Sequence, residues 1–267
     1  MIRALIVFLV MVAGTIPRVR RVAVANLRIA FGPSGTGIYF KSLFRIADNI
    51  CAVLKACRKN PTRRPQIRLD TAMLADIGVP PPYVCVTGHL GPFELLARFS
   101  EVLQGGLAVI ARPPKSRLFK LVLAFIRRRL GIEVIDKQDA MRASIRSMSA
   151  GKSVAIFADH NAGYHGTFLP FLGFLASTSR LPAVLAMRFN KPIVMGFIRK
   201  DGPEFVMWVE KVIVPNGRAD AEMEERRILG EMNAVYTDVI RRYPDEWFWF
   251  HRRWKTRPGD REAHILR

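Results

Sequence analysis

The order of hydrophobic and polar positions divides the chain into a helical part and a layered part. Ala4 to Ile16 is an apolar run between Arg3 and Pro17. Its thirteen residues fall short of the roughly 20 that a transmembrane helix needs. The run fits a short anchor dipping into a membrane, or else a signal peptide. Arg18, Arg20 and Arg21 follow at once, and dense positive charge there favours retention on the cytoplasmic side. Arg18 to Phe31 interleaves basic and apolar residues, as an interfacial helix or a core-packed amphipathic helix would. Ile38 to Arg58 spaces Phe40, Phe44, Ala47 and Cys51 at three- and four-residue steps, which predicts a further helix. The basic, Pro-containing stretch Lys59 to Pro65 closes this part. Two regions follow: residues 1–58, helical and membrane-associated, and residues 59–267.

Beyond Pro80-Pro81-Pro82 the period changes. Short apolar, β-rich runs occur at Tyr83–Thr87, Leu107–Ala111, Ile132–Ile135, Ser153–Ala158 and Pro192–Ile198, with helical patterns at Pro92–Leu103, Lys115–Leu130, Gln138–Ala150 and Arg180–Asn190. Glu204–Val214 reads as another strand and Asp220–Arg242 as a long charged helix. Alternation of this kind predicts an α/β fold, with a central mixed sheet flanked by helices. Phe168 to Leu175, broken by Pro and Gly, reads as neither helix nor strand; it could line a pocket, rest on a membrane or pack in the core. There is no internal repeat, no G-x-G-x-x-G and no P-loop, so nothing supports a nucleotide cofactor.

Charge narrows the choice of partner. Lys and Arg number 42 against 22 Asp and Glu, a net charge of +20. That excess points to an anionic partner. With half the residues hydrophobic and a mean hydropathy of +0.12, a membrane surface fits better than a nucleic acid. Cys51, Cys57 and Cys85 exclude a disulfide scaffold and read as small buried hydrophobes, a nucleophilic Cys85 being the lesser alternative.

The most informative stretch is Tyr83 to Leu96. A strand ends at Thr87, Gly88 and Gly91 permit a tight turn, and Pro92 suits a first helical position. His89 then lies in the turn, at the carboxyl end of a strand where open α/β sheets bind ligands. Glu94 lies in the first helical turn, where it can reach His89. A histidine paired with a carboxylate is the unit of general-base catalysis; alternatively Glu94 caps the helix and His89 is a satisfied turn residue. Asp159, after the buried run Ser153 to Ala158, could orient a basic group or cap the loop Asn161 to Thr167. Arg112 and Arg127 follow a strand and close a helix on the ligand side, suited to phosphate or a developing oxyanion. His160 and His165 match no metal-ligand spacing, so no metal is assigned. Trp247 to Lys255 mixes aromatics with cations: an interfacial belt, packing near a site, or a nucleic-acid stacking platform.

In these blocks the chain resembles the late acyltransferases of lipid A, the lauroyl and myristoyl transferases. The H-x4-D/E signature is matched by His89 and Glu94 in Thr-Gly-His-Leu-Gly-Pro-Phe-Glu. Arg112-Pro113, Arg127, Asp159-His160 and Pro170-Phe171-Leu172-Gly173 follow in order, with Gly163, Gly166, Ala176, Thr178, Pro182-Ala183 and Ala186 continuing the pattern. Trp249 to Pro258 matches the C-terminal block, and Arg20 to Gly32 resembles the N-terminal N-L-R-x-x-F segment. The resemblance implies a glycerolipid-acyltransferase-like fold at the cytoplasmic face of a bacterial inner membrane. It implies O-acyl transfer from an acyl thioester, on acyl carrier protein or coenzyme A, to a hydroxyl of an anionic glycolipid, lipid A or its precursor. His89 would act as base with Glu94 orienting it, Arg127 would be essential, and no cofactor is needed. Two alternatives stay open: another lipid acceptor, such as a lysophospholipid or glycosylated phosphoinositide, and a non-enzymatic nucleic-acid-binding module.

Overall fold

A computed structural model describes residues 2–70, 72–75, 78–101, 103, 105–111 and 116–259. Three helices come first: α1 (Ile2–Thr15), α2 (Pro17–Phe31) and α3 (Thr36–Ala56). Pro17 starts α2 at a position whose N–H would be unpaired anyway. Then follow β1 (Ile67–Asp70), α4 (Ala72–Ala75), β2 (Val84–Thr87), β3 (Leu107–Ala111), α5 (Arg117–Arg129), β4 (Glu133–Asp136), α6 (Ala140–Ser149) and β5 (Ser153–Phe157). The chain continues through β6 (Thr167–Phe171), β7 (Phe174–Thr178), α7 (Leu181–Phe189), β8 (Ile193–Asp201), β9 (Glu204–Ile213) and α8 (Ala221–Arg242).

Seven strands form one mixed sheet in the order β1-β9-β8-β2-β5-β3-β4. Neighbours run parallel except the antiparallel pair β8–β9. The central strands are buried on both faces, and their side chains alternate between two cores. Val84 and Val86 of β2 face a core shared with α2, α6, α7, α8 and the tail after α8, while Cys85 faces a second core shared with α3 and Ile126 of α5. The α/β expectation, a mixed sheet between helices, therefore holds.

Three segments differ from the sequence reading. Pro92–Leu103 was expected as an α-helix; it is a 3₁₀ helix over Phe93–Glu101, wound tightly from its start, where Leu95 N–H donates to the Pro92 carbonyl at 2.8 Å. β1 pairs with β9 inside a stretch that carried no strand signal. Phe168 to Leu175 lies in an antiparallel hairpin, β6–β7, whose turn residues Leu172 and Gly173 both have positive φ, 51° and 89°. Such turns usually announce themselves as Asn-Gly, and a leucine there conceals the hairpin.

Between the two readings of Arg18 to Phe31, α2 is core-packed: Ala23, Asn26 and Leu27 are buried. Helix α1 lies against α3, with Tyr39 Oη donating to the Gly14 carbonyl at 2.6 Å; Ile2, Leu5, Phe8, Leu9, Val12 and Ile16 remain exposed. Among the described residues no single helix is long and apolar enough to cross a membrane; α1 passes that test only together with Pro17–Ala56, across an 82° bend.

Asn26 ties this helical part to the other end of the chain. Its Nδ2 donates to the carbonyls of Trp249 and His251 at 2.7 and 2.6 Å. Asn26→Ala would strip the Trp249 carbonyl of this donor and leave the His251 carbonyl with only Arg253 N–H at 2.9 Å. The expected cost is about 1–3 kcal/mol, read as a lower urea midpoint, and an unchanged midpoint would show that the tail is held without it.

Candidate active site

The site grows from the carboxyl end of β2. Tyr236 of α8 donates to the Thr87 carbonyl at 2.6 Å, fixing the strand's last residue. A Cβ at Gly88 would sit 3.1 Å from the Tyr236 ring and 3.3 Å from the Asp159 carboxylate, so both would have to give by a few tenths of an ångström. Gly91 has φ +63°, and a Cβ there would overlap the Ile198 carbonyl oxygen of β8. The intervening turn carries His89. The tail after α8 lies along it like a strand: Phe248 N–H donates to the His89 carbonyl at 2.9 Å, Gly91 N–H donates to the Glu246 carbonyl at 3.1 Å, and Leu90 bridges to Trp247.

Asp159 arrives from the end of β5, the neighbour of β2 in the sheet. It has no exposed surface and accepts three hydrogen bonds. His89 N–H donates at 2.8 Å, Trp247 Nε1 at 2.8 Å, and His89 Nδ1 lies 2.9 Å away. Burial alone would raise its pKa, but His89, His160 and the hydrogen bonds from His89 outweigh it and hold the carboxyl well below the usual carboxylate range. Arg253, also fully buried, sits behind. It donates to the Ser177 carbonyl at 2.5 Å and the Thr178 hydroxyl at 3.1 Å, with its guanidinium 4.4 Å from the Phe171 ring centre. Burial brings its pKa down to about 10, against the pull of Asp159.

The His89 ring is clamped by rings. Phe93 meets it edge-on at 4.9 Å, and Phe157 lies tilted against it at 4.7 Å and 45°. His160 stacks on it at 3.9 Å and 4°, and His251 stacks on His160 at 3.8 Å and 6°. With Nδ1 on Asp159, Nε2 is the nitrogen left for a substrate. His89, Phe93, Glu94, Arg127, Phe157 and His160 line a cleft of about 370 Å³.

A profile of the family described as bacterial lipid A biosynthesis acyltransferases matches residues 81–256, well over half of the chain. The chain belongs to that family. It is 23% identical over 171 residues to the lipid A biosynthesis lauroyltransferase of Escherichia coli (strain K12), covering 64% of this chain and 55% of that protein; the match thus spans about half of the relative's length. Among solved structures it is similar to the 1-acyl-sn-glycerophosphate (LPA) acyltransferase PlsC from Thermotoga maritima, with a TM-score of 0.44, 16% identity, and coverage of 84% of this chain and 93% of that one.

For this family member the structure reassigns one contact. Glu94 was expected to orient His89, but the carboxylate at Nδ1 is Asp159. Glu94 instead lies 3.7 Å from Arg127, each side chain 18% exposed. Burial raises the Glu94 pKa, with Arg127 and His89 opposing. The two residues share the cleft with His89, so His89, Glu94, Arg127 and Asp159 do come together. Arg112 lies outside the described residues. Arg128 and Arg129 are exposed. Cys85 is buried, which pushes its thiol up to about 12 and denies it a thiolate near neutrality.

Ligand atoms of His89, Asp159 and His160 fall within 4.8 Å of one another. Both Asp159 oxygens are already engaged, however, and parallel stacked rings do not turn their nitrogens toward a common point. The cluster fits a stacked array better than a metal. Of the three readings of Trp247 to Lys255, packing near the site is the one observed: Trp247, Trp249 and Arg253 are fully buried. Sequence reasoning missed Trp247 as a partner of Asp159, although the aromatic–basic block drew attention to it.

Burial brings the His160 pKa down to about 3, with Asp159 opposing. Between about pH 3 and the ordinary histidine value near 6.5, the unfolded chain holds a proton on His160 that the folded chain lacks. Stability must therefore rise with pH across that window. Asp159 adds to this below about pH 4, since its stabilisation is present above the unfolded carboxylate pKa and lost as pH falls. His160→Gln should flatten the slope between pH 4.5 and 6.5 by up to about 1.4 kcal/mol per unit, measured from urea midpoints. An unaltered slope would place the acid sensitivity elsewhere.

Proposed function

We propose that the protein is a membrane-associated O-acyltransferase. It would move a fatty acyl group from an acyl thioester, on acyl carrier protein or coenzyme A, to a hydroxyl of an anionic glycolipid, lipid A or its precursor. The observation that carries this reading is the buried, ionised Asp159 bonded to a His89 that faces a cleft beside Arg127. Family membership and the named lauroyltransferase relative support the choice of acyl group and acceptor.

In this mechanism His89 Nε2 takes the proton of the acceptor hydroxyl as the oxygen attacks the thioester carbonyl. Asp159 stabilises the imidazolium formed. The tetrahedral intermediate collapses, the C–S bond breaks, and the leaving thiolate recovers the proton from His89. Arg127 offers its guanidinium to the acceptor's phosphate or to the oxyanion, and Glu94 holds that guanidinium at the cleft wall. No covalent enzyme intermediate is needed.

The exposed apolar side chains of α1, with Leu118, Leu121, Val122 and Phe125 of α5, and the neighbouring arginines support association with the cytoplasmic face of the inner membrane. A nucleic-acid module is the weaker reading, because a stacking platform needs exposed aromatics and Trp247 and Trp249 are buried.

Purified protein given an acyl thioester and a lipid A precursor should yield acylated lipid by mass spectrometry. His89→Ala should lower turnover about 10²–10⁴-fold in protein that still folds, with a lowered urea midpoint because the buried Asp159 loses its ring partner; near-normal turnover would remove His89 as the base. Arg127→Lys keeps charge but loses the planar fork. It should cost about 10- to 150-fold, corresponding to roughly 1.5–3 kcal/mol, whereas Arg128→Lys and Arg129→Lys should cost little. Equal small effects at all three positions would return Arg127 to the solvated surface.

A further inference from the structure

A second concave site lies away from the cleft. The end of α3, the loop that follows it and the β8–β9 turn enclose about 440 Å³ lined by Arg3, Lys55, Arg58, Arg63, Arg64 and Lys200. The single acidic residue lining it, Asp48, is taken by Arg3 Nε at 2.9 Å. Among the described residues no carboxylate pairs with the other five cations. The walls are held in shape. Arg64 Nε donates to the Arg58 carbonyl at 2.9 Å, and Asn60 Oδ1 accepts from Thr62 N–H at 3.0 Å. Five like charges gathered around one hollow repel one another, and an anion seated there relieves that repulsion.

The surroundings say what kind of anion. The helices that bring Arg3, Asp48 and Lys55 to the groove also expose Ile2, Leu5, Ile50 and Leu54. None of the four lines the groove itself; they add exposed apolar surface to the two helices that border it. A lipid headgroup presents its phosphate together with hydrocarbon. Lys200 lies at the carboxyl end of β8, next to its last residue, and β8 runs parallel to β2, so the groove opens at the same edge of the sheet as His89.

We propose that this groove is a binding site for the phosphate of an anionic membrane phospholipid, separate from the acyl-transfer cleft. The headgroup sits among Lys55, Arg58, Arg63 and Lys200, and its chains lie along the exposed faces of α1 and α3. The seat orients the cleft toward the bilayer and does not depend on the chemistry at His89.

The test is co-sedimentation of the full chain with vesicles of phosphatidylcholine alone or with about 30% phosphatidylglycerol. The variants are the triple Arg58→Ala, Arg63→Ala, Lys200→Ala and a charge-matched control, Arg218→Ala, Arg226→Ala, Arg241→Ala, on the α8 side. Each membrane-facing cation is worth about fivefold in partitioning. The groove variant should therefore lose on the order of 10²-fold toward the anionic vesicles and little toward the neutral ones. The control should lose no more than a few fold, and His89→Ala, inactive in transfer, should bind like wild type. Equal losses in the two triple variants would overturn the site in favour of diffuse charge. Displacement from vesicles by 10 mM inorganic phosphate would overturn it in favour of a soluble phosphate ligand. Unchanged vesicle binding with a raised KM for the carrier-bound donor would overturn it in favour of an acidic carrier protein.

Discussion

Asp159 carries a charge with no contact to water, and the rest of the site is arranged around the cost of keeping it there. An isolated carboxylate taken into a protein interior is protonated sooner than it is buried charged. Here His89, the neighbouring His160 and the hydrogen bonds from His89 reverse that preference, and Trp247 supplies a third donor. The donors come from distant parts of the chain: the turn after β2 supplies two, and the tail after α8 supplies Trp247. Removing any one of them would leave a buried charge short of partners, which is far costlier than losing a surface contact. The carboxylate thereby couples formation of the site to completion of the fold.

The coupling reaches further through the backbone. The tail pairs with the His89 turn as an added strand, and Asn26 of α2 holds the tail carbonyls. A helix near the N-terminus thus reaches the His89 turn through two sets of hydrogen bonds. The rings do the finer work. Stacking from His160, the edge of Phe93 and the tilted ring of Phe157 leave His89 few tilts, so its Nε2 is held in one direction before substrate arrives. Preorganisation of this kind removes the cost of positioning a base at the moment of reaction.

Much of this was legible in the residues, and the remainder was hidden for physical reasons. The central strands stood out because parallel strands covered on both faces become short apolar runs bounded by turns. β1 did not, because its Arg68 and Asp70 are exposed and only half of its four residues carry an apolar signal. The β6–β7 hairpin was masked by Pro170 and by a leucine in a left-handed turn. His89 was found from its place at a strand end. Its partner was misassigned to Glu94 because the eye pairs groups five residues apart, whereas Asp159 is seventy away. That pairing follows from β2 and β5 being neighbours in the sheet, a fact no local pattern contains. The N-L-R and W-x-H-R-R blocks were visible as resemblances, but their meaning, one holding the other against the His89 turn, needed the third dimension.

Two carboxylates in one cleft are driven in opposite directions, and that contrast sorts their roles. Asp159 is pressed toward its charged form by donors, whereas Glu94 is drawn toward its neutral form by burial, checked by Arg127 and His89. A group that must balance an imidazolium has to be ionised throughout the reaction, which suits Asp159 and not Glu94. A group that holds a cation at 3.7 Å without quenching it can yield that cation to a stronger anion. A doubly charged phosphate is such an anion, and its arrival would leave Glu94 better able to accept a proton than to keep Arg127. The opposite shifts fit the proposed mechanism, in which one half of the cleft would move a proton and the other would receive negative charge.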